Sequence, residues 1–148
     1  MIDYGDRARI GIMVPSGNSV AEPELRAMVP ADIGLLFTRL KLTGSTEAEL
    51  MGMLDGLEDA ARLLADARPG LLAFHCTAVS TFAPRLGAEI NARIAAAASG
   101  RTIATADAIE AALAALRAKT VLLVSPYIEP VHRREIDYLE RQGCRVLD

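Results

Sequence analysis

The run Gly70-Leu71-Leu72-Ala73-Phe74-His75-Cys76-Thr77-Ala78-Val79-Ser80 decides the fold. Its first half is short, apolar and preceded by Pro69, the pattern of a buried strand in a parallel sheet. Helix-compatible sequence follows Thr77. A cysteine at the end of such a strand sits on the edge where open α/β sheets bind their ligands. Backbone N–H groups at that edge hold anions, and the same field is expected to lower the thiol pKa towards the reactive thiolate. Cys76 is therefore the candidate for chemistry on a small carboxylate. The plain alternative is a buried small hydrophobe, the commonest fate of a free cysteine. His75 is the next residue on the strand, so its side chain is expected on the opposite face, and no Cys–His pair forms.

Upstream, residues 9–14 read as a first strand stopped by Pro15-Ser16-Gly17-Asn18. A helix is expected to start at Pro23, because proline suits the first helical position. Residues 16–20 then form an exposed loop in which Asn18 offers both a donor and an acceptor. Residues 33–42 alternate as a second strand, with Arg39 and Lys41 on a solvated face. Thr46-Glu47-Ala48-Glu49 has the capping-box pattern. The stripe Leu50, Met53, Leu54, Leu57, Ala61, Leu64 and Ala65 predicts one amphipathic helix leading to Gly70.

Downstream, a helix is expected from residues 83–84 to Ala98, then a strand over residues 102–105. Asp107-Ala108-Ile109-Glu110 reads as a cap for a helix over residues 111–118. Residues 120–125 form a β-branched strand ending in Pro126-Tyr127. Glu129-Pro130 opens a last helix, which Gly143 stops. His132, beside Arg133 and Arg134, reads as part of a solvated face. Cys144 begins a final strand, at the wrong end of the sheet to join Cys76, and reads as a buried thiol.

Strands alternating with helices imply right-handed βαβ units, so the fold class is α/β, a parallel sheet with helices on both faces. The carboxyl ends of the strands then share one edge. Residues 15–20, 76–79, 105–107 and 126–127 are expected to converge there as a site. Residues 1–118 read as one lobe. Residues 119–148 read as the truncated start of a second, because a chain that ends on a fresh strand leaves sheet surface uncovered.

Composition narrows the function classes. The 148 residues carry a formal net charge of −3 and are 51% hydrophobic, so no basic face for nucleic acid is expected. Two cysteines do not make a disulfide framework and fit a reducing compartment. No apolar signal core or membrane-length run is present in the sequence, so a cytoplasmic protein with no membrane partner is expected. No metal-ligand spacing and no glycine-rich nucleotide loop appears.

Three stretches resemble one family. Residues 15–24, Pro-Ser-Gly-Asn-Ser-Val-Ala-Glu-Pro-Glu, resemble the asparagine loop of maleate cis-trans isomerases. His75-Cys76-Thr77-Ala78 resembles their first Cys-Thr motif, and Ser125-Pro126-Tyr127 their Thr-Pro-Tyr motif. These enzymes belong to the aspartate/glutamate racemase superfamily, with arylmalonate decarboxylases as relatives. The resemblance implies a racemase-like lobe facing a second pseudo-symmetric lobe, and no metal, nucleotide or organic cofactor. It implies that Cys76 attacks as a thiolate, maleate to fumarate in an isomerase, or exchanges an α-proton in a racemase. It assigns Asn18 and Tyr127 to the substrate carboxylates, with help from Thr77 and Ala78, and places Pro15 and Ser16 in the binding loop. Family members use a second cysteine from a carboxyl-terminal half, which Cys144 does not replace. Arylmalonate decarboxylases typically lack a cysteine at the position of Cys76, which favours the isomerase or racemase branch. Gly17 stands where a serine is common, which leaves the substrate open. A carboxylate-binding module without chemistry is the competing reading, and a C2 homodimer is the default assembly.

Overall fold

The computed structural model describes residues 4–147. Strands β1 (Ala8–Pro15), β2 (Ile33–Leu40), β3 (Leu71–Phe74) and β4 (Arg101–Ala104) form a parallel sheet in the order β2-β1-β3-β4. Parallel neighbours need crossovers, and helices supply them. Helix α1 (Ala21–Met28) joins β1 to β2; α2 (Glu47–Gly52) and α3 (Leu57–Ala65) join β2 to β3. The short α4 (Thr77–Ser80) and α5 (Leu86–Ala97) join β3 to β4. The chain continues through α6 (Thr105–Leu116), β5 (Thr120–Leu122), α7 (Glu129–Arg141) and β6 (Arg145–Leu147). Among the described residues, β5 and β6 pair in parallel with each other and form a separate two-stranded sheet.

Alternation along the strands sends side chains into two apolar layers. Met13, Leu72 and Phe74 pack with Leu57, Leu64, Ile90 and Ile94 of α3 and α5. Ile12, Val14 and Leu35 pack with Ala21 of α1 on the other face. Gly11 permits the close approach of α3. A Cβ there would lie 2.8 Å from Leu72 Cδ2 and 3.2 Å from Leu64 Cβ. The α/β class and the parallel sheet agree with the sequence expectation, and so does the capping box: Thr46 Oγ1 accepts from Glu49 N while Glu49 reaches back to Thr46 N.

Element ends differ in five places, each with a local cause. Helix α1 starts at Ala21, ahead of Pro23, because Asn18 Oδ1 accepts from the N–H groups of Val20 and Ala21. Pro23 lies in the first turn, where a missing N–H costs nothing. The single helix expected over residues 50–65 is broken by a 3-10 turn at Met53–Gly56, next to two glycines of low helix propensity. Helix α5 starts at Leu86, after Arg85 takes the left-handed conformation with φ 70°. Helix α6 starts at Thr105, with Asp107 inside its first turn and Asp107 Oδ2 accepting from Ala104 N at 2.8 Å. Strand β5 ends at Leu122, paired with Arg145–Leu147 of β6 among the described residues, and the chain then bends toward Pro126.

Candidate active site

The loop after β1, the β3–α4 junction and the loop before α7 enclose a cavity of about 350 Å³. Its wall includes Pro15, Asn18, Cys76, Ala78 and Tyr127. The sequence expectation therefore places these residues together. Ser16 and Thr77 stand beside the cavity without lining it. Residues 105–107, expected at the same edge, are not part of the wall. Thr105 Oγ1 is spent on Phe74 O at 3.0 Å, and Asp107 holds Asn91 and Ala104. Two larger clefts, of about 550 and 570 Å³, contain none of Asn18, Cys76 or Tyr127. Among the described residues no three His, Cys, Asp or Glu side chains cluster as metal ligands. Among the described residues no helix is long and apolar enough to cross a membrane.

The asparagine loop is fixed by backbone and side-chain bonds before any ligand arrives. Asn18 N donates to Pro15 O at 3.0 Å. Ser16 Oγ accepts from Leu42 N at 3.0 Å and donates to Leu42 O. Arg39 does more than solvate a strand face. Its Nη1 donates to Ser16 O at 3.2 Å and Asn18 O at 2.8 Å, and its Nη2 meets Glu22 at 3.2 Å. Asn18 Oδ1 is committed to the Val20 and Ala21 N–H groups, and among the described residues Nδ2 has no protein partner.

Cys76 sits in extended backbone at φ −151° and is 7% exposed. The expectation of a lowered thiol pKa is overturned. Burial pushes the thiol from its usual 9.0 up to about 11; hydrogen bonds from the N–H groups of Val79 and Ala78 oppose this, and the charge of Glu135 adds to it. A single turn of helix offers too few aimed N–H groups to outweigh lost hydration. His75 faces away, as expected, into the apolar cleft with Ile10, Ala73 and Ile103. Burial lowers its pKa. Cys144 is buried, its Sγ against Ala118 O at 3.5 Å.

The loop before α7 brings in Tyr127, and α7 itself brings two groups that the sequence reading assigned otherwise or missed, His132 and Glu135. The Tyr127 phenol hydrogen-bonds the Thr77 side chain and the Ala78 backbone; burial raises its pKa, and so do the charges of Glu135 and Cys76. His132 is half-buried and not solvated, its Nδ1 2.8 Å from Ser125 Oγ. Glu135 is 5% exposed, and its Oε1 is buried without a hydrogen-bond partner. Burial lifts its carboxyl from 4.5 to about 7, opposed by His132. The available signal was its spacing: Val131, Glu135 and Leu139 fall four apart on the buried stripe of α7.

Residues 10–148 match the arylmalonate decarboxylase family. The chain belongs to this family. Within the superfamily, it is 30% identical over 154 residues to the maleate isomerase of Geobacillus stearothermophilus, covering 95% of this chain and 61% of that protein. It is also 30% identical to the maleate isomerase of Nocardia farcinica, covering 95% of this chain and 60% of that one. The crystal structure of the Nocardia enzyme bound to TRIS superposes with a TM-score of 0.88 at 26% identity, over 95% of this chain and 61% of that chain. A cysteine-to-serine variant of that enzyme holds a covalently bound succinylcysteine intermediate; it superposes with a TM-score of 0.85 at 26% identity, over 95% and 62% of the two chains. Arylmalonate decarboxylase itself, at 20% identity and a TM-score of 0.77 over 93% and 59%, shares the fold. The family member described here spans 61% of the length of the first of these curated relatives.

Proposed function

We propose that this chain carries the Cys76 side of the active site of a cofactor-independent isomerase, acting on a small cis-dicarboxylate of the maleate type. The observation that carries the reading is Cys76 on the cavity wall, in a chain similar to an enzyme that holds a succinylcysteine intermediate. In the proposed reaction Sγ gives up its proton to solvent and adds as the thiolate to one alkene carbon. The π pair moves onto the neighbouring carbon and into its carboxylate. The former double bond is now single and rotates. The pair then returns, the S–C bond breaks, and the trans acid leaves with its atoms unchanged. Asn18 Nδ2, the Tyr127 hydroxyl and the Ala78 N–H are the donors for the carboxylate charge that grows in the transition state.

The test is fumarate formation from maleate by the full-length protein, wild type against Cys76→Ser. Loss of turnover to background in a folded variant is the expected result. Near wild-type turnover would remove Cys76 from the mechanism. The family match favours a second reading, decarboxylation of an arylmalonate. Release of carbon dioxide from phenylmalonate, with no action on maleate, would select it.

A further inference from the structure

We propose that Glu135 is a positioning residue for Cys76: its buried, unpartnered carboxyl lies one turn of α7 from the cavity wall, and the nucleophile forms more readily when Glu135 carries the proton. The inference rests on the reading of Cys76 as the reacting thiol. Glu135 extends the face of α7 that reaches the cavity. Val131, one turn before it, lines the cavity wall with Cys76 and packs in the same apolar cluster. The carboxyl is almost wholly buried, and Oε1 has no hydrogen-bond partner. A structural carboxylate in that position would be expected to have its lone pairs satisfied. Instead it is left facing groups that also compete for charge.

The groups that act on Glu135 or feel its charge come from three places. His132 is on α7 itself, Tyr127 is on the preceding loop, and Cys76 is at the end of β3. Arg134 is stacked on the Phe82 ring at 4.2 Å, and its buried Nε has no hydrogen-bond partner. After burial, the Glu135 charge also raises the pKa of both Cys76 and Tyr127, so carboxylate and thiolate oppose each other. When the thiol is used, the proton leaving Sγ passes to solvent, and an ionised Glu135 opposes its departure. No electron transfer accompanies the step.

Alkylation of Cys76 by iodoacetamide from pH 5 to 11, followed on the Cys76 peptide by mass spectrometry, tests this without any substrate. Glu135→Gln mimics the protonated acid. It is expected to shift the alkylation profile to lower pH and to raise the rate at pH 8 by roughly three- to tenfold, one pKa unit being tenfold. Glu135→Met removes the same charge with an apolar group and is expected to shift the profile in the same direction. It also serves as the readout where the glutamine variant does not fold. Glu89→Gln, which removes an exposed carboxylate on α5, is the control and leaves the profile in place. A profile unchanged within twofold in the charge-free variants, or slower alkylation at pH 8, overturns the proposal. A shifted profile in a protein that does not turn over maleate keeps the Glu135 inference and discards the isomerase reading. An unshifted profile in an active isomerase does the reverse.

Discussion

Asn18 Oδ1 accepts the Ala21 backbone N–H at 2.9 Å, so a residue on the cavity wall also holds the backbone leading into α1. The two duties use different ends of the amide. The oxygen holds that backbone, and among the described residues the nitrogen has no protein partner.

The division separates two substitutions. Asn18→Asp keeps the accepting oxygen and removes the donor. It is expected to melt within a few degrees of wild type and to lose at least tenfold in kcat/KM for a dicarboxylate. Asn18→Ala loses the bonds to the Val20 and Ala21 N–H groups as well and costs about 1 kcal/mol of stability. Thermal unfolding and turnover on the same preparations check both. Full activity in the aspartate variant would take Nδ2 out of substrate binding.

Glu135 also makes stability depend on pH. Its folded carboxyl titrates at about 7 against 4.5 unpaired. The unfolded chain therefore ionises first, and the stabilisation is whole below about pH 4.5. It is lost as pH rises to about 7. Glu49 and Glu58 oppose this: hydrogen bonds from Thr46 and Arg93 lower their pKa values, so their contribution is lost as pH falls. The clean observable is the difference between wild type and Glu135→Gln. The variant is expected to gain on wild type between pH 5 and 8, by on the order of 1–3 kcal/mol. Parallel stability curves would show that Glu135 is ionised at the same pH folded and unfolded.

The Cys76 thiol adds a similar slope at higher pH. Raised from 9.0 to about 11, it favours the folded state up to pH 9 and gives up that advantage between pH 9 and 11. Cys76→Ser removes the slope. Denaturant midpoints at pH 8, 9.5 and 10.5 report it, and an equal fall in both proteins would assign the alkaline loss to other groups.

Arg39 ties the loop by its two carbonyl contacts. Arg39→Met is expected to change stability by less than about 1 kcal/mol, since its ion pair with Glu22 is solvent-accessible. The loop carbonyls at Ser16 and Asn18 lose their donor, so KM rises several-fold while kcat changes less. An unchanged KM would mean that the Ser16–Leu42 bonds alone hold the loop.

Core packing gives a prediction independent of function. Leu57 is fully buried between the sheet and its helices. Leu57→Ala is expected to cost about 2–5 kcal/mol, read from chemical denaturation. A loss under about 1 kcal/mol would show that neighbouring side chains collapse into the space.

Much of the site was legible because it depends on strand ends. Residues 70–76 are a short apolar run followed by a break, which placed Cys76 at a carboxyl edge. Pro15-Ser16-Gly17-Asn18 is turn chemistry after another such run. Those local patterns, with the resemblance, brought together Pro15, Asn18, Cys76, Ala78 and Tyr127. Ser16 and Thr77 were harder, because whether a polar side chain faces a cavity or its own backbone is set by neighbours far along the chain. Ser16 is held by Leu42, and Thr77 bonds Tyr127. Glu135 was missed because an acid on a helix reads as solvated until the partner surface is known.

The sequence by itself determined the α/β class, the order of strands and helices, the capping box at Thr46 and the edge on which Cys76 stands. Each follows from hydrophobic period, turn residues and the direction forced on parallel strands. Only the tertiary structure decided the ionisation of the site. Hydration and field depend on what packs around a group and not on its neighbours in the chain. Thus the thiol at a helix start is pushed up and not down, and the charge of an acid on α7 opposes its ionisation.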